Sequence, residues 1–438
     1  MTTAATRGMR ALGCALFAGA ALHAGAQAQD IAIRNATILT VTKGKIENGT
    51  VLIQNGKIIA VGQNVNIPAG VRVVDGTGKF VMPGIIDAHS HTAGDVGLNE
   101  GAESVTPEVR VEVRADALSI YRELAGGTTA LNVLHGSANV VGGQAAVVKL
   151  KWGTTPDEML IDDAPRIVKF ALGENPKRSN SDPQPGQERR FPATRMGVEQ
   201  TLRWWFNEAV KYRKAWADHR EALKTDKTAL APRRDLRLEA LSDIIEGKLW
   251  VHAHSYREDE IIMLMKVAED YGFRIKTFQH VLEGYKVADE IAKHGAGAST
   301  FADMWAYKME AWDAIPHNAT LMAKRGVNVS INSDSDERAR RLYTEAALAM
   351  KYGGASEEEA LKMITINPAW QIGLDKRIGS IETGKDGDLA IFNGHPFAPA
   401  SRVDMTIIEG KVYFDRELAM TLEKLLRAIV TTTDGGRP

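Results

Sequence analysis

The polar and apolar positions along this chain change rhythm twice. After about residue 30 the text "IAIRNATILTVTKGKIENGTVLIQNGKIIAVGQNVNIPAGVRVVDGTGKFVMPG" alternates over short runs broken by Asn-Gly, Gly-Lys and Pro-Ala-Gly. Such alternation with those turn residues predicts a small antiparallel sheet. The same texture returns in "GSIETGKDGDLAIFNG" and "VDMTIIEGKVYFD" near the other end, so the two ends are expected to pair into one β-sandwich with the middle inserted between them. From about 81 to 377, apolar strand-like runs are each followed by a helix-like periodic stretch, the pattern of βα units and a parallel sheet. Eight such runs stand out: "GIIDAHSH", "TTALNVLH", "QAAVVKLKW", "RIVKFALGE", "KLWVHAHS", "IKTFQHV", "GAGASTFAD" and "VNVSINSDS". An α/β fold follows, a (β/α)8 TIM barrel with a small β-sandwich domain built from both chain ends. The expected division is 1–28 leader, 29–80 sandwich, 81–377 barrel and 378–438 sandwich and tail.

The first residues follow neither rhythm. Arg7 and Arg10 precede "ALGCALFAGAALHAGA", and the stretch ends in "AQA", the layout of a cleaved secretory signal. This predicts a periplasmic or secreted mature chain beginning near Gln29. The apolar core is short and rich in Ala and Gly, so no stable membrane anchor is expected. Cys14 is the one cysteine in the chain, so the mature protein has no disulfide, thiolate ligand or thiol nucleophile to use. With 54 basic against 55 acidic residues, the charge balance gives no case for nucleic acid as a partner.

Within the barrel pattern the chemistry gathers at strand ends. Five of the eleven histidines, His89, His91, His252, His254 and His280, fall at or near the carboxyl ends of the first, fifth and sixth strand runs. In a barrel those ends meet over one mouth. His89 and His91 share a strand face, as do His252 and His254. Together with His280 and with Asp334 from the eighth run, His89, His91 and His252 make a nitrogen and oxygen set suited to zinc or a similar divalent ion. Lys169 sits in the apolar run "RIVKFALGE", where an ammonium group is costly to bury unpaired. A carbamate, formed from its amine and carbon dioxide, is an anion with two oxygens able to bridge two metals. The rivals are a salt-bridged Lys169, or Lys149 or Lys151 in the bridging role. His135 is read either as greeting a substrate carboxylate or as capping a loop, and Arg178 either as pairing with a substrate carboxylate or as a solvated charge. The long insertion at 175–247 carries Trp204, Trp205 and Phe206, which favour core or subunit contact over a lid.

These motifs resemble the amidohydrolase superfamily, nearest its imidazolonepropionase-like and metal-dependent carboxypeptidase branches. "VMPGIIDAHSH", "AGGTTALN", "VHAHS", "FQHV", "NSDS" and "NPAWQIGLDKRIGSIETGKDGDLAIF" carry the likeness over nearly all of the mature chain. The resemblance implies two divalent ions, zinc first, with manganese, iron or cobalt as other choices. It implies His89 and His91 on the more buried ion, His252 and His280 on the more exposed one, and carbamylated Lys169 between them. Asp334 would be both ligand and general base, with His254 or Tyr256 donating to the oxyanion. The implied reaction is hydrolysis of an amide in a small molecule, such as an N-acyl amino acid, dipeptide or cyclic amide, by hydroxide shared between the ions. Lactone or ester hydrolysis on the same site and a non-catalytic scaffold are the other readings. A homo-oligomer is compatible with the exposed insertion.

Overall fold

The structure is a computed structural model describing residues 30–94, 98–177 and 190–424; the leader-like stretch at 1–28 and Arg178 lie outside the described residues. The chain opens with β1 (Ile31–Leu39), β2 (Lys45–Gln54), β3 (Lys57–Gly62), β4 (Arg72–Asp75) and β5 (Phe80–Pro83). The β2–β3 hairpin turns on Asn55 and Gly56, whose φ values of 49° and 76° are the left-handed pair that a two-residue hairpin turn requires.

Among the described residues nine strands form the middle: β6 (Ile85–Ser90), β7 (Thr128–Val133), β8 (Val141–Gln144), β9 (Ala146–Lys149), β10 (Arg166–Ala171), β11 (Leu249–Ser255), β12 (Ile275–His280), β13 (Gly297–Thr300) and β14 (Asn328–Ile331). The chain returns through β15 (Leu389–Phe392), β16 (Val403–Ile408) and β17 (Lys411–Asp415). Both ends share one eight-stranded sheet in the order β17-β16-β15-β5-β1-β2-β3, with β4 beside β1. The junction is antiparallel, Phe80 opposite Phe392 and Pro83 opposite Leu389. Hydrogen bonding thus joins strands from both chain ends. Its own core is aliphatic, with Ile33, Ile38, Val51, Ile53, Ile391 and Ile407 buried together.

Strands β10 to β14 run parallel, each paired with the next, and β6 and β7 are likewise parallel. They are buried on both faces, which explains why their sequences read as unbroken apolar runs rather than alternations. The third expected unit differs. Segment 141–149 bends at Ala145, giving β8 antiparallel to β10 and β9 antiparallel to β7. Residues 134–140 are too few for the crossover that a parallel return needs. The bent segment bridges the two middle sheets, with Ala145 N–H donating to Ile167 O at 2.8 Å. On the opposite side, Asp334 N–H donates to His89 O at 3.1 Å and Ser333 N–H to the Asp87 carboxylate at 3.2 Å.

Gly84 alone separates β5 from β6. A Cβ there would lie 2.1 Å from the Thr129 hydroxyl, so the close approach of small sheet and parallel strands excludes any side chain. The described part of the insertion forms two helices, Arg195–Ala222 and Leu236–Ile245, started by the Thr194 and Asp235 side chains accepting from backbone N–H groups. Phe206 is buried against Phe273 and Tyr271, with ring centroids 4.7 and 5.3 Å away, while Trp204 remains 58% exposed. No described helix is long and apolar enough to cross a membrane.

Candidate metal centre

The carboxyl ends of β6, β10, β11 and β12 and the turn after β14 bring six side chains together. His89 Nε2 and His91 Nε2 lie 3.3 and 3.1 Å from Asp334 Oδ1. His280 Nε2 lies 3.9 Å from Asp334 Oδ2, and Lys169 Nζ is 3.1 Å from His89 Nε2. The His280 ring centroid is 4.6 Å from those of both His89 and His254. His89, His280 and Asp334 each offer a ligand atom within 4.8 Å of the others. His89, Lys169 and His280 are fully buried, whereas the side chains of His91 and Asp334 are about one third exposed, at 32% and 31%. The centre is therefore a buried floor with one open side.

The donors fit a divalent cation. Nε2 of His280 and Nε2 of His254 are buried without a hydrogen-bond partner, a costly state for polar atoms unless something coordinates them. Burial, reinforced for all three by Lys169, holds His89, His254 and His280 well below the usual imidazole pKa, so they present neutral rings with free lone pairs. Burial also brings the Lys169 ammonium down to about 7, against the pull of Asp334. For Asp334 burial pushes upward, but His280, His91 and Lys169 outweigh it and hold the carboxyl at about 2. His280 and Asp334 both sit on left-handed backbone, at φ 68° and 46°. For residues other than glycine this costs about 1–3 kcal/mol each and clusters at functional sites.

Two expected site residues lie elsewhere in the structure. His252 shares a strand face with His254 but lies one layer deeper, paired with Lys169 in the strand register. Its Nε2–H donates to Gln371 O at 3.1 Å, and its Nδ1 accepts from the Gln279 amide at 3.0 Å. With both nitrogens engaged it is a core histidine, and His254 is the ring that faces the centre. His135, a candidate for substrate binding, is likewise occupied: Nδ1 bonds to Gly136 O at 2.8 Å and Nε2 accepts from Glu100 N–H at 3.0 Å. It is the loop cap rather than a free group.

The rivals to Lys169 are placed elsewhere. Lys149 is buried among Asp386, Asp388 and Glu409 at 2.5, 2.9 and 2.9 Å, and Lys151 pairs with Glu409 at 2.8 Å. Tyr256 does stand beside the centre, its ring 4.7 Å from His254 and 5.5 Å from His280. Sequence reasoning missed its neighbours in the loop after β13. Tyr307 O–H donates to Tyr256 Oη at 2.9 Å, and Lys308 Nζ lies 4.4 Å above the Tyr256 ring. Their position just beyond a strand's carboxyl end was the only available signal.

Comparison with known proteins identifies the family. A model described as Amidohydrolase family matches residues 80–413. Amidohydrolase tasK of Hapsidospora irregularis is 27% identical over 406 residues, 85% of this chain but 40% of its own length. The chain thus spans less than half of that relative. An imidazolonepropionase of Thermoplasma volcanium is 24% identical over 392 residues, covering 85% of this chain and 92% of the relative. Among solved structures, an amidohydrolase from Thermotoga maritima MSB8 superposes with TM-score 0.80 at 34% identity, covering 88% of this chain and all (100%) of that one. A prolidase complexed with n-methylphosphonate-l-proline shares the fold at TM-score 0.54 and 18% identity, covering 89% of this chain and 100% of its own. The chain belongs to the amidohydrolase family, hydrolases that act on carbon–nitrogen bonds.

Proposed function

We propose that this chain is a binuclear metal-dependent amidohydrolase that cleaves an amide C–N bond in a small molecule, an N-acyl amino acid, a dipeptide or a cyclic amide. The observation that carries this reading is the convergence of His89, His91, Lys169, His254, His280 and Asp334, with buried nitrogens that no protein group satisfies. The two middle sheets, joined through segment 141–149, are read as walls of one closed eight-stranded barrel whose mouth holds these groups. The leader-like residues 1–28 would place the activity in the periplasm or outside the cell.

His89, His91 and Asp334 would hold one ion, zinc being the first choice, and His254 and His280 the other, with Lys169 between them. Bound ions supply acidity: they lower the pKa of water and polarise a carbonyl. An amine at about 7 is substantially neutral at physiological pH. Lys169 Nζ can then form an N–C bond to carbon dioxide and release a proton, becoming the anionic carbamate the site requires. Asp334, ionised at neutral pH, takes the proton of the attacking water and passes it to the leaving amine. Because Tyr307 donates to Tyr256 Oη, the hydroxyl hydrogen of Tyr256 is free for the developing oxyanion. Burial raises the Tyr256 pKa far above neutrality, so that hydrogen is retained.

The test is metal analysis of purified protein alongside a screen of N-acyl amino acids and dipeptides with zinc or manganese. About two equivalents of divalent ion per chain and turnover of an amide are expected. No metal after reconstitution with bicarbonate would end the proposal.

A further inference from the structure

One short turn touches three of the proposed ligands. Leu134–Ser137 follows β7. Its Leu134 carbonyl accepts from His91 Nδ1 at 2.9 Å, its His135 carbonyl lies 3.4 Å from Lys169 Nζ, and Ser137 Oγ lies 3.0 Å from His254 Nδ1. A carbonyl only accepts, so His91 must carry its proton on Nδ1 and turn the Nε2 lone pair toward the centre. Ser137 meets His254 at the matching nitrogen, leaving His254 Nε2 unpartnered.

The turn is itself fixed from several sides. Leu134 N–H donates to Ser90 O at 3.0 Å and Gly136 N–H to Leu98 O at 2.9 Å, and Ala138 N–H donates to the Asn99 side chain at 3.0 Å. The His135 ring fills the space behind it, where a Cβ on Gly142 or Gly143 would come within 2.6 or 2.9 Å of the ring. His135 is thereby a post that props the turn.

We propose that the Leu134–Ser137 turn is a jig that aligns ligands from three strands before any ion arrives, and that Ser137 is a positioning residue for His254. In this arrangement Ser137 Oγ accepts the Nδ1 proton, so His254 Nε2 faces the centre as a lone-pair donor. The inference rests on the metal-centre reading above and adds the element that sets ligand tautomers across it. Hydrogen-bond partners of ligating histidines commonly contribute about 10- to 100-fold in metal affinity.

The test compares the full chain with Ser137→Ala and Ser137→Thr by competition titration of Co(II) and Zn(II) against a chromophoric chelator, with bicarbonate present. The visible absorption of the cobalt form is read in parallel. S137A should bind one of its two ions about 10- to 100-fold more weakly and show an altered cobalt spectrum. The other ion should be held as before, and the metal-free thermal midpoint should fall by no more than a few degrees, the cost of one orphaned buried donor. S137T, which keeps the hydroxyl, should restore affinity and spectrum. Affinities of S137A indistinguishable from those of the parent protein, or an S137T as weak as S137A, would overturn the proposal. Failure of the parent protein to bind any ion would instead sink the metal-centre reading on which it rests.

Discussion

Replacing His252 and His254 one at a time separates a ligand from a core residue two positions away on the same strand. In His252→Ala the Gln371 carbonyl loses its donor, and the Gln279 amide keeps only a weaker contact with Ala88 O at 3.4 Å. A ring-sized void also opens in a fully buried layer. An orphaned buried carbonyl and a cavity of that size together cost about 3–5 kcal/mol. In His254→Ala a buried ring is lost as well, but it leaves no orphaned backbone carbonyl and its partner Ser137 is only half-buried and can turn to water, so the expected cost is smaller, about 1–3 kcal/mol. The metal content should show the reverse order. H254A should fall from about two ions per chain to about one, with catalysis largely lost, because a zinc site rarely tolerates the loss of a protein ligand. H252A should keep both ions as far as it stays folded. Denaturant titration of the metal-free proteins and elemental analysis of the reconstituted ones measure the two effects independently. A stable H252A that has lost an ion, beside an H254A that retains both, would refute the assignment of these two rings.

Further outcomes follow from the same geometry. Lys169→Ala should abolish activity, and short carboxylates added to the assay should restore part of it by standing in for the bridge; unimpaired activity without additives would remove Lys169 from the centre. Tyr256→Phe should lower kcat about 10²- to 10³-fold as the loss of an oxyanion donor. Tyr307→Phe should lower it by less while KM hardly moves, and equal kcat in Y307F and the parent would show that the tyrosine pair is not functional. Lys149→Met should destabilise the fold by about 3–5 kcal/mol, since it leaves Asp388 as an uncompensated buried charge, while Lys57 and Arg377 still pair with Asp386. The partner side of that cluster is acid-sensitive. Burial pushes Asp386 upward, but Lys149, Lys57 and Arg377 hold it at about 2, below its unfolded value near ~3.9. Its contribution is therefore present above about pH 4 and lost as pH falls toward 2. Acid titration of unfolding should show this slope in the parent protein and a shallower one in Asp386→Asn.

Much of the strand plan could be read from residue patterns, because strands buried on both faces leave unbroken apolar runs and the exposed small sheet leaves alternations. β6, β7 and β10 to β14 fall within the quoted runs. The direction of the third unit was also written in the chain, in the short span 134–140, but apolar patterning does not register direction. The choice between His252 and His254 is of another kind. Both point to one face, and alternation has no term for depth, so which ring reaches the mouth depends on where neighbouring strands end. His135 looked like a free imidazole because its partners, Gly136 O and the Glu100 amide, are backbone groups with no signature in side-chain identity. Tyr307 and Lys308 come from a loop, where position in space is set by packing rather than by period.

The antiparallel match of β5 with β15 has a consequence for how the polypeptide is made. On its other side β5 touches β1 through only two residue pairs, Thr37 with Phe80 and Ile38 with Val81. A growing chain therefore carries a strand with one open edge until nearly all of its length has left the ribosome, and such edges recruit stray partners. Folding is obliged to wait for the last strands. Products terminated before Leu389 would expose that edge permanently, next to the first histidine-bearing strand.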